Sequence, residues 1–170
     1  MTIEDSARKV RGLGRSFLYS IEGVNYCIKN ERNMRIHLIV ASYVLAFSLF
    51  YNLTSFEYAV LFIVIGLVLA AEAVNTAIES IVNLNIECYN KLARIAKNVA
   101  AGAVFICAIS ATAVGGALFL NISTIQYIIR FLYTNYLYGI LFIISIPISL
   151  FFIFRFPFKS TIIRRIKIGR

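Results

Sequence analysis

Two carboxylates and two amides interrupt an apolar stretch at Ala71-Glu-Ala-Val-Asn-Thr-Ala-Ile-Glu-Ser-Ile-Val-Asn83. On a helix of about 3.6 residues per turn, Glu72, Asn75, Thr76, Glu79 and Asn83 fall on one face. Glu72 and Glu79 are two turns apart, roughly 10 Å along the axis at about 1.5 Å per residue. A carboxylate at bilayer depth costs roughly 2.5 kcal/mol or more, so such residues mark functional sites by default. Two acids at two depths suit a division of labour. An acid at the headgroup boundary, made a better proton acceptor by desolvation, can take a proton from a lipid hydroxyl. A lower, wetter acid can hold a metal ion that carries phosphates. The competing reading is that the stripe only joins helices through hydrogen bonds.

Two further groups frame the stripe. In Asn30-Glu-Arg-Asn-Met-Arg-Ile-His37, Glu31 could complete a magnesium site with Glu79, because magnesium usually takes one or two carboxylates and leaves the rest to phosphate and water. Alone, an acid beside Lys29, Arg32 and Arg35 is more often a surface ion pair. Lys91, Arg94 and Lys97 recur every third residue, so one helix face can attract polyphosphate; they also suit an inside-positive membrane anchor.

The elements that position these groups follow from composition. The chain has 170 residues, of which 60% are hydrophobic and 15% charged, with a mean hydropathy of +0.81. A soluble domain carries about 45–50% apolar and about 25% charged residues, so a soluble fold is excluded. The apolar residues cluster, and four spans are expected at 36–51, 56–86, 99–120 and 136–154. Glu72 then lies about 20 Å down the second span, near the inner headgroup boundary. The third span is rich in Ala and Gly, which allow close helix approach in lipid. Residues 1–35 mix Phe17, Leu18, Ile21 and Val24 with Arg15, Glu22 and Lys29, the pattern of an amphipathic helix lying on the surface.

Net charge is +9, and all the bases but Arg130 sit in residues 1–35, 91–97 and 155–170, with none in 36–90. Four crossings with both termini inside place every basic cluster in the cytoplasm. Because the bases track span ends, they point to anionic lipid rather than nucleic acid. Cys27, Cys88 and Cys107 are widely spaced and the single histidine is His37, so neither a zinc site nor a disulfide framework is expected. The first residues carry no charged-then-apolar signal pattern. A channel or transporter is disfavoured, because the acids gather at one interface rather than lining a path.

The segment Glu72-Ala-Val-Asn75-Thr76-Ala77-Ile78-Glu79-Ser-Ile-Val-Asn83 resembles the signature E-x-x-N-[ST]-A-[ILV]-E-x-x-x-D of the prokaryotic integral-membrane diacylglycerol kinase and undecaprenol kinase family. Ala93-Arg-Ile-Ala-Lys-Asn-Val-Ala-Ala-Gly-Ala-Val104 is similar to its A-K-D-x-A-A-G-A-V segment, and Glu31-Arg-Asn-Met-Arg-Ile-His37 looks more like the undecaprenol kinase branch. The resemblance covers about residues 15–121.

What the resemblance implies is an all-α membrane protein with a surface helix region (1–35) and a three-helix kinase core (36–121); the extra span with its basic tail (122–170) lies outside the resemblance. It implies a homotrimer in the bacterial plasma membrane, both termini cytoplasmic, with active sites between protomers. Glu72 would be the general base, and Asn75 would help place the lipid hydroxyl. Glu31 and Glu79 would bind magnesium and Tyr19, Lys97 and Asn98 the nucleotide. The implied activity is a magnesium-dependent lipid kinase moving the ATP γ-phosphate to a membrane alcohol, undecaprenol before diacylglycerol. Asn83 and Asn98 stand where the family usually has aspartate, and Cys88-Tyr89-Asn90 where it usually has E-Y-H. These changes motivate the alternative of a nucleotide-impaired lipid-binding relative.

Overall fold

A computed structural model describes residues 3–85 and 90–154, with side chains described for 14–84 and 90–154. Among the described residues the chain forms six helices and no strand: α1 (Ile3–Asn30), α2 (Arg32–Ser48), α3 (Ser55–Asn85), α4 (Lys91–Phe119), α5 (Ile122–Thr134) and α6 (Tyr136–Phe154). The chain divides into two compact units, α1 belonging to one and Arg32–Arg155 forming the other.

In α1, Phe17, Ile21 and Val24 recur at helical spacing and are exposed, while Arg15, Glu22 and Lys29 occupy the opposite side. An uncovered apolar stripe backed by charges is the form that lies flat in a headgroup layer.

In the second unit, α3 and α4 form the most extensive helix pair, α2 packs against α3 and α6, and α5 packs against α6. Three helices are long and apolar enough to cross a membrane: Ser55–Leu84, Lys91–Phe119 and Tyr136–Phe154. The expected first span is helical, but α2 has 17 residues and is about 26 Å long, against a hydrocarbon core of about 30 Å. By length and composition there are three such helices among the described residues rather than four.

The helix ends are written locally. Thr54 and Glu57 make a capping box: Thr54 N donates to the Glu57 carboxylate at 2.6 Å, Thr54 Oγ1 donates to it at 2.7 Å, and Glu57 N donates back to Thr54 Oγ1 at 3.3 Å. Asn90 caps α4 by accepting from Leu92 N and Ala93 N. Tyr51 Oη donates to Phe119 O at 2.9 Å and packs edge-on against that ring, tying the α2–α3 turn to the end of α4.

Residues 121–135, expected as a loop, contain α5. Asn121 caps it by accepting from Thr124 N at 3.1 Å, and Ile128 is buried. Phe50 packs edge-on against Tyr127 and Phe131, seating α5 beside the end of α2. The α5–α6 connection is tight: a Cβ at Gly139 would lie 2.5 Å from Leu132 O.

The last helix is fastened to α2 by polar groups. Tyr43 Oη lies 2.8 Å from Ser145 Oγ and 3.0 Å from Ser149 Oγ. Arg35 Nε donates to Ile153 O at 3.2 Å, a carbonyl in the last turn of α6 with no helical partner ahead of it. Phe142 packs edge-on against Tyr43 and Phe47.

Candidate functional site

The site is built on α3. Leu61, Val68, Glu72, Asn75 and Thr76 are its buried residues, and all lie on the face that the helical spacing assigns to the polar stripe. Glu72 is only 1% exposed, one of the largest fully buried side chains described, and Asn75 is 6% exposed. Burying these groups in an apolar bundle is costly, yet they occupy the best-packed stripe of the unit.

The stripe's hydroxyls turn inward on their own helix. Thr76 Oγ1 donates to Glu72 O at 3.0 Å and Ser80 Oγ donates to Thr76 O at 2.8 Å. They are therefore spent within α3 and do not link it to another helix. The Asn75 amide is different: among the described residues its buried Oδ1 has no hydrogen-bond partner. A buried acceptor left open costs about 1–3 kcal/mol, a cost that a ligand hydroxyl would relieve.

Two turns further on, Glu79 is half-buried. Asn83 is exposed and accepts from Lys97 Nζ at 3.3 Å, joining the end of α3 to the first turns of α4. Lys97 is half-buried; Asn98, Arg94 and Lys91 are exposed. The arrangement grades from a buried carboxylate and amide to a wetter acid and then to a cluster of bases. Such an order can hold a hydroxyl at one end and an anion at the other.

Of the residues expected at the site, α3 carries Glu72, Asn75 and Glu79 on one face, Lys97 of α4 reaches Asn83 near the end of α3, and Asn98 is exposed on the next position of α4. Tyr19 and Glu31 belong to the α1 unit, where Tyr19 is 66% exposed and Glu31 N donates to Cys27 O at 2.8 Å. Cys88 and Tyr89 lie outside the described residues, as does the basic tail. Among the described residues no group of three or more His, Cys, Asp or Glu side chains lies together.

Two residues were named from sequence without a role of their own. Thr76 is 3% exposed, and its place in the stripe was its only signal. Arg35 is 4% exposed, and its Nε donates to Ile153 O in the last turn of α6. Nothing in the order of residues joins positions so far apart.

Comparison with known proteins places the chain in a family. A family model described as prokaryotic diacylglycerol kinase matches residues 18–134. A diacylglycerol kinase of Synechocystis sp. is 42% identical over 106 residues, which are 62% of this chain and 61% of that protein. An undecaprenol kinase of Bacillus subtilis is 32% identical over 120 residues, 71% of this chain and 98% of that protein. No solved structure matches. With the matched segment containing the whole α3 stripe and the basic start of α4, the chain belongs to the prokaryotic diacylglycerol kinase family.

Proposed function

We infer that the protein is a lipid kinase that transfers the γ-phosphate of ATP to a membrane alcohol, undecaprenol in preference to diacylglycerol. The observation that carries this reading is the buried Glu72 one turn from the open acceptor of Asn75. Glu72 accepts the hydroxyl hydrogen of the alcohol, and the Asn75 side chain beside it orients the alcohol oxygen. Glu72 takes the proton as that oxygen attacks, a role worth about 10²–10⁴-fold in rate. Phosphoryl transfer asks little covalent chemistry of a protein; positioning and charge neutralisation dominate. Lys97 supplies positive charge to the phosphates from the start of α4.

The donor set suits magnesium arriving on a nucleotide, for which one or two carboxylates suffice. Glu79 is the acid available on α3. The resemblance assigns Glu31 to the same ion, and Tyr19 and Asn98 to the nucleotide; those assignments rest on sequence. When bound, magnesium neutralises charge on the transferring phosphates. Basic clusters at span ends support a plasma-membrane location with both termini in the cytoplasm, and the resemblance supports a homotrimer.

Purified protein in detergent, given labelled ATP, magnesium and undecaprenol, is expected to yield labelled lipid phosphate. The label disappears with EDTA and in Glu72→Gln. Equal label in wild type and Glu72→Gln would remove Glu72 as the base.

A second reading, a nucleotide-impaired lipid-binding relative, draws on the neutral Asn83 that pairs with Lys97 where the family usually has aspartate. It predicts no thermal shift with millimolar ATP and magnesium, whereas the kinase reading predicts stabilisation.

A further inference from the structure

Between Lys97 and Arg155 the sequence has a single charged residue, Arg130 on α5. This helix is sharply two-sided. Ile125, Ile128, Ile129 and Leu132 share one face, and Ser123, Gln126, Arg130 and Thr134 share the opposite one. Ile125, Ile128 and Ile129 look across an apolar cleft at Val44, Phe47 and Tyr51. Both flanks of α5 are held at one level of the bundle. Phe119, just before it, is tied to Tyr51. Tyr127 and Phe131 pack against Phe50, and Phe131 against Tyr138. Two crossings set that level. Helix α4 starts among Lys91, Arg94 and Lys97. Its 29 residues carry it about 43 Å to its other end, more than the thickness of a hydrocarbon core. Helix α6 returns antiparallel to α2, from Phe142 on Phe47 to Ile153 on Arg35. Helix α5 therefore joins two spans at the bilayer face away from the basic start of α4.

We propose that α5 binds the membrane surface there. It lies in the plane of the headgroup layer, its isoleucine face in the acyl region and Arg130 among the lipid phosphates. Its flanks stay at the level of Phe50 and Tyr51, so it runs across the end of the bundle and not through the bilayer. Immersing it would carry Arg130 into hydrocarbon, which is costly. Lifting it into water would leave Ile122, Ile125 and Ile129, which the bundle leaves exposed, without apolar cover. Only the boundary suits both faces. Four of the chain's ten tyrosines, Tyr127, Tyr133, Tyr136 and Tyr138, gather at this end and are exposed. Such a belt of phenols sits where hydrocarbon meets water. The inference uses none of the groups assigned to phosphoryl transfer and goes beyond the kinase reading.

The chain has no tryptophan, so a single substitution gives a single fluorescent reporter. The test uses the full chain in nanodiscs of equimolar phosphatidylcholine and phosphatidylglycerol, which leave both membrane faces open to solutes. One quencher is bromine carried on the acyl chains and the other is aqueous iodide. The two faces of an interfacial helix differ in depth by about 5–10 Å. Ile125→Trp should therefore be quenched by the bromine and spared by iodide, and Ser123→Trp should show the reverse. Iodide reaching both equally would put α5 in water, and bromine reaching both equally would put it inside the bilayer; either result overturns the proposal. Tyr133→Trp guards against a misfolded variant, because it exchanges one aromatic for another at a side chain 89% exposed. Both quenchers should reach that reporter, on the flank of the helix, and access by only one overturns the proposal. The readout is depth and not turnover, so a protein inactive toward lipid alcohols would sink the kinase reading and leave this result standing.

Discussion

Helices α3 and α6 are both long and apolar enough to span a bilayer, but they are used differently. The α3 helix buries Leu61, Val68, Glu72, Asn75 and Thr76 along one face, whereas α6 has no buried residue. Polar groups appear on both. On α6 they are paired, Ser145 and Ser149 each lying within 3.0 Å of Tyr43 Oη. On α3 the Asn75 acceptor is open. On the kinase reading proposed above, the difference separates fastening from function: paired polar groups hold one helix to another, and the open one is kept for substrate. The family match ends at residue 134, so the paired set lies partly on a helix outside it, and the open set lies wholly inside.

The contrast can be broken most forcefully at Glu72. Glu72→Gln should lower lipid phosphorylation by about 10²–10⁴-fold, with thermal unfolding in detergent little changed. An equally large loss from a change confined to α6 would erase the distinction. Next comes Lys97→Met, which removes a charged donor worth about 1.5–3 kcal/mol; the KM for ATP should rise roughly tenfold or more, with the KM for lipid unaffected. On the fastening side, Gly139→Ala forces a methyl group against Leu132 O. It should cost about 1–3 kcal/mol of stability, read as a lower Tm, and leave turnover of the folded protein intact. Thr54→Ala removes the capping box at the start of α3 and should cost about 0.5–2 kcal/mol in the same assay. Smallest is Tyr43→Phe, with about 0.6 kcal/mol expected for a membrane hydrogen bond. A loss of activity exceeding the loss of stability there would show that α6 reaches the chemistry.

How far the fold could be read from sequence depended on how local each signal was. The α3 stripe was legible because five polar residues share one helical face against an apolar background, and burial follows that face. Helix α6 was legible from its uninterrupted apolar run, 136–154. Helix α5 was missed because a charge-poor stretch between two spans was counted as a connection. The signal lay in Asn121 and Thr124, a cap and its recipient, followed by Ile122, Ile125 and Ile128 at helical intervals. The first span was placed correctly as a helix, but α2 already begins at Arg32, one residue after α1 ends. Long-range pairings were illegible. Arg35 with Ile153, Tyr43 with Ser145 and Ser149, and Lys97 with Asn83 arise only when helices are set side by side, and periodicity within one helix carries no information about its neighbour.

The contact at Gly139 has a consequence for how such a chain could be recombined. With no room for even a methyl group between the start of α6 and Leu132, α5 and α6 meet as a jointed pair cut to fit. Moving them to another three-helix protein would require that glycine to travel with them. It would also require a receiving helix that presents a phenol two turns from an arginine, so the graft is portable only together with its socket.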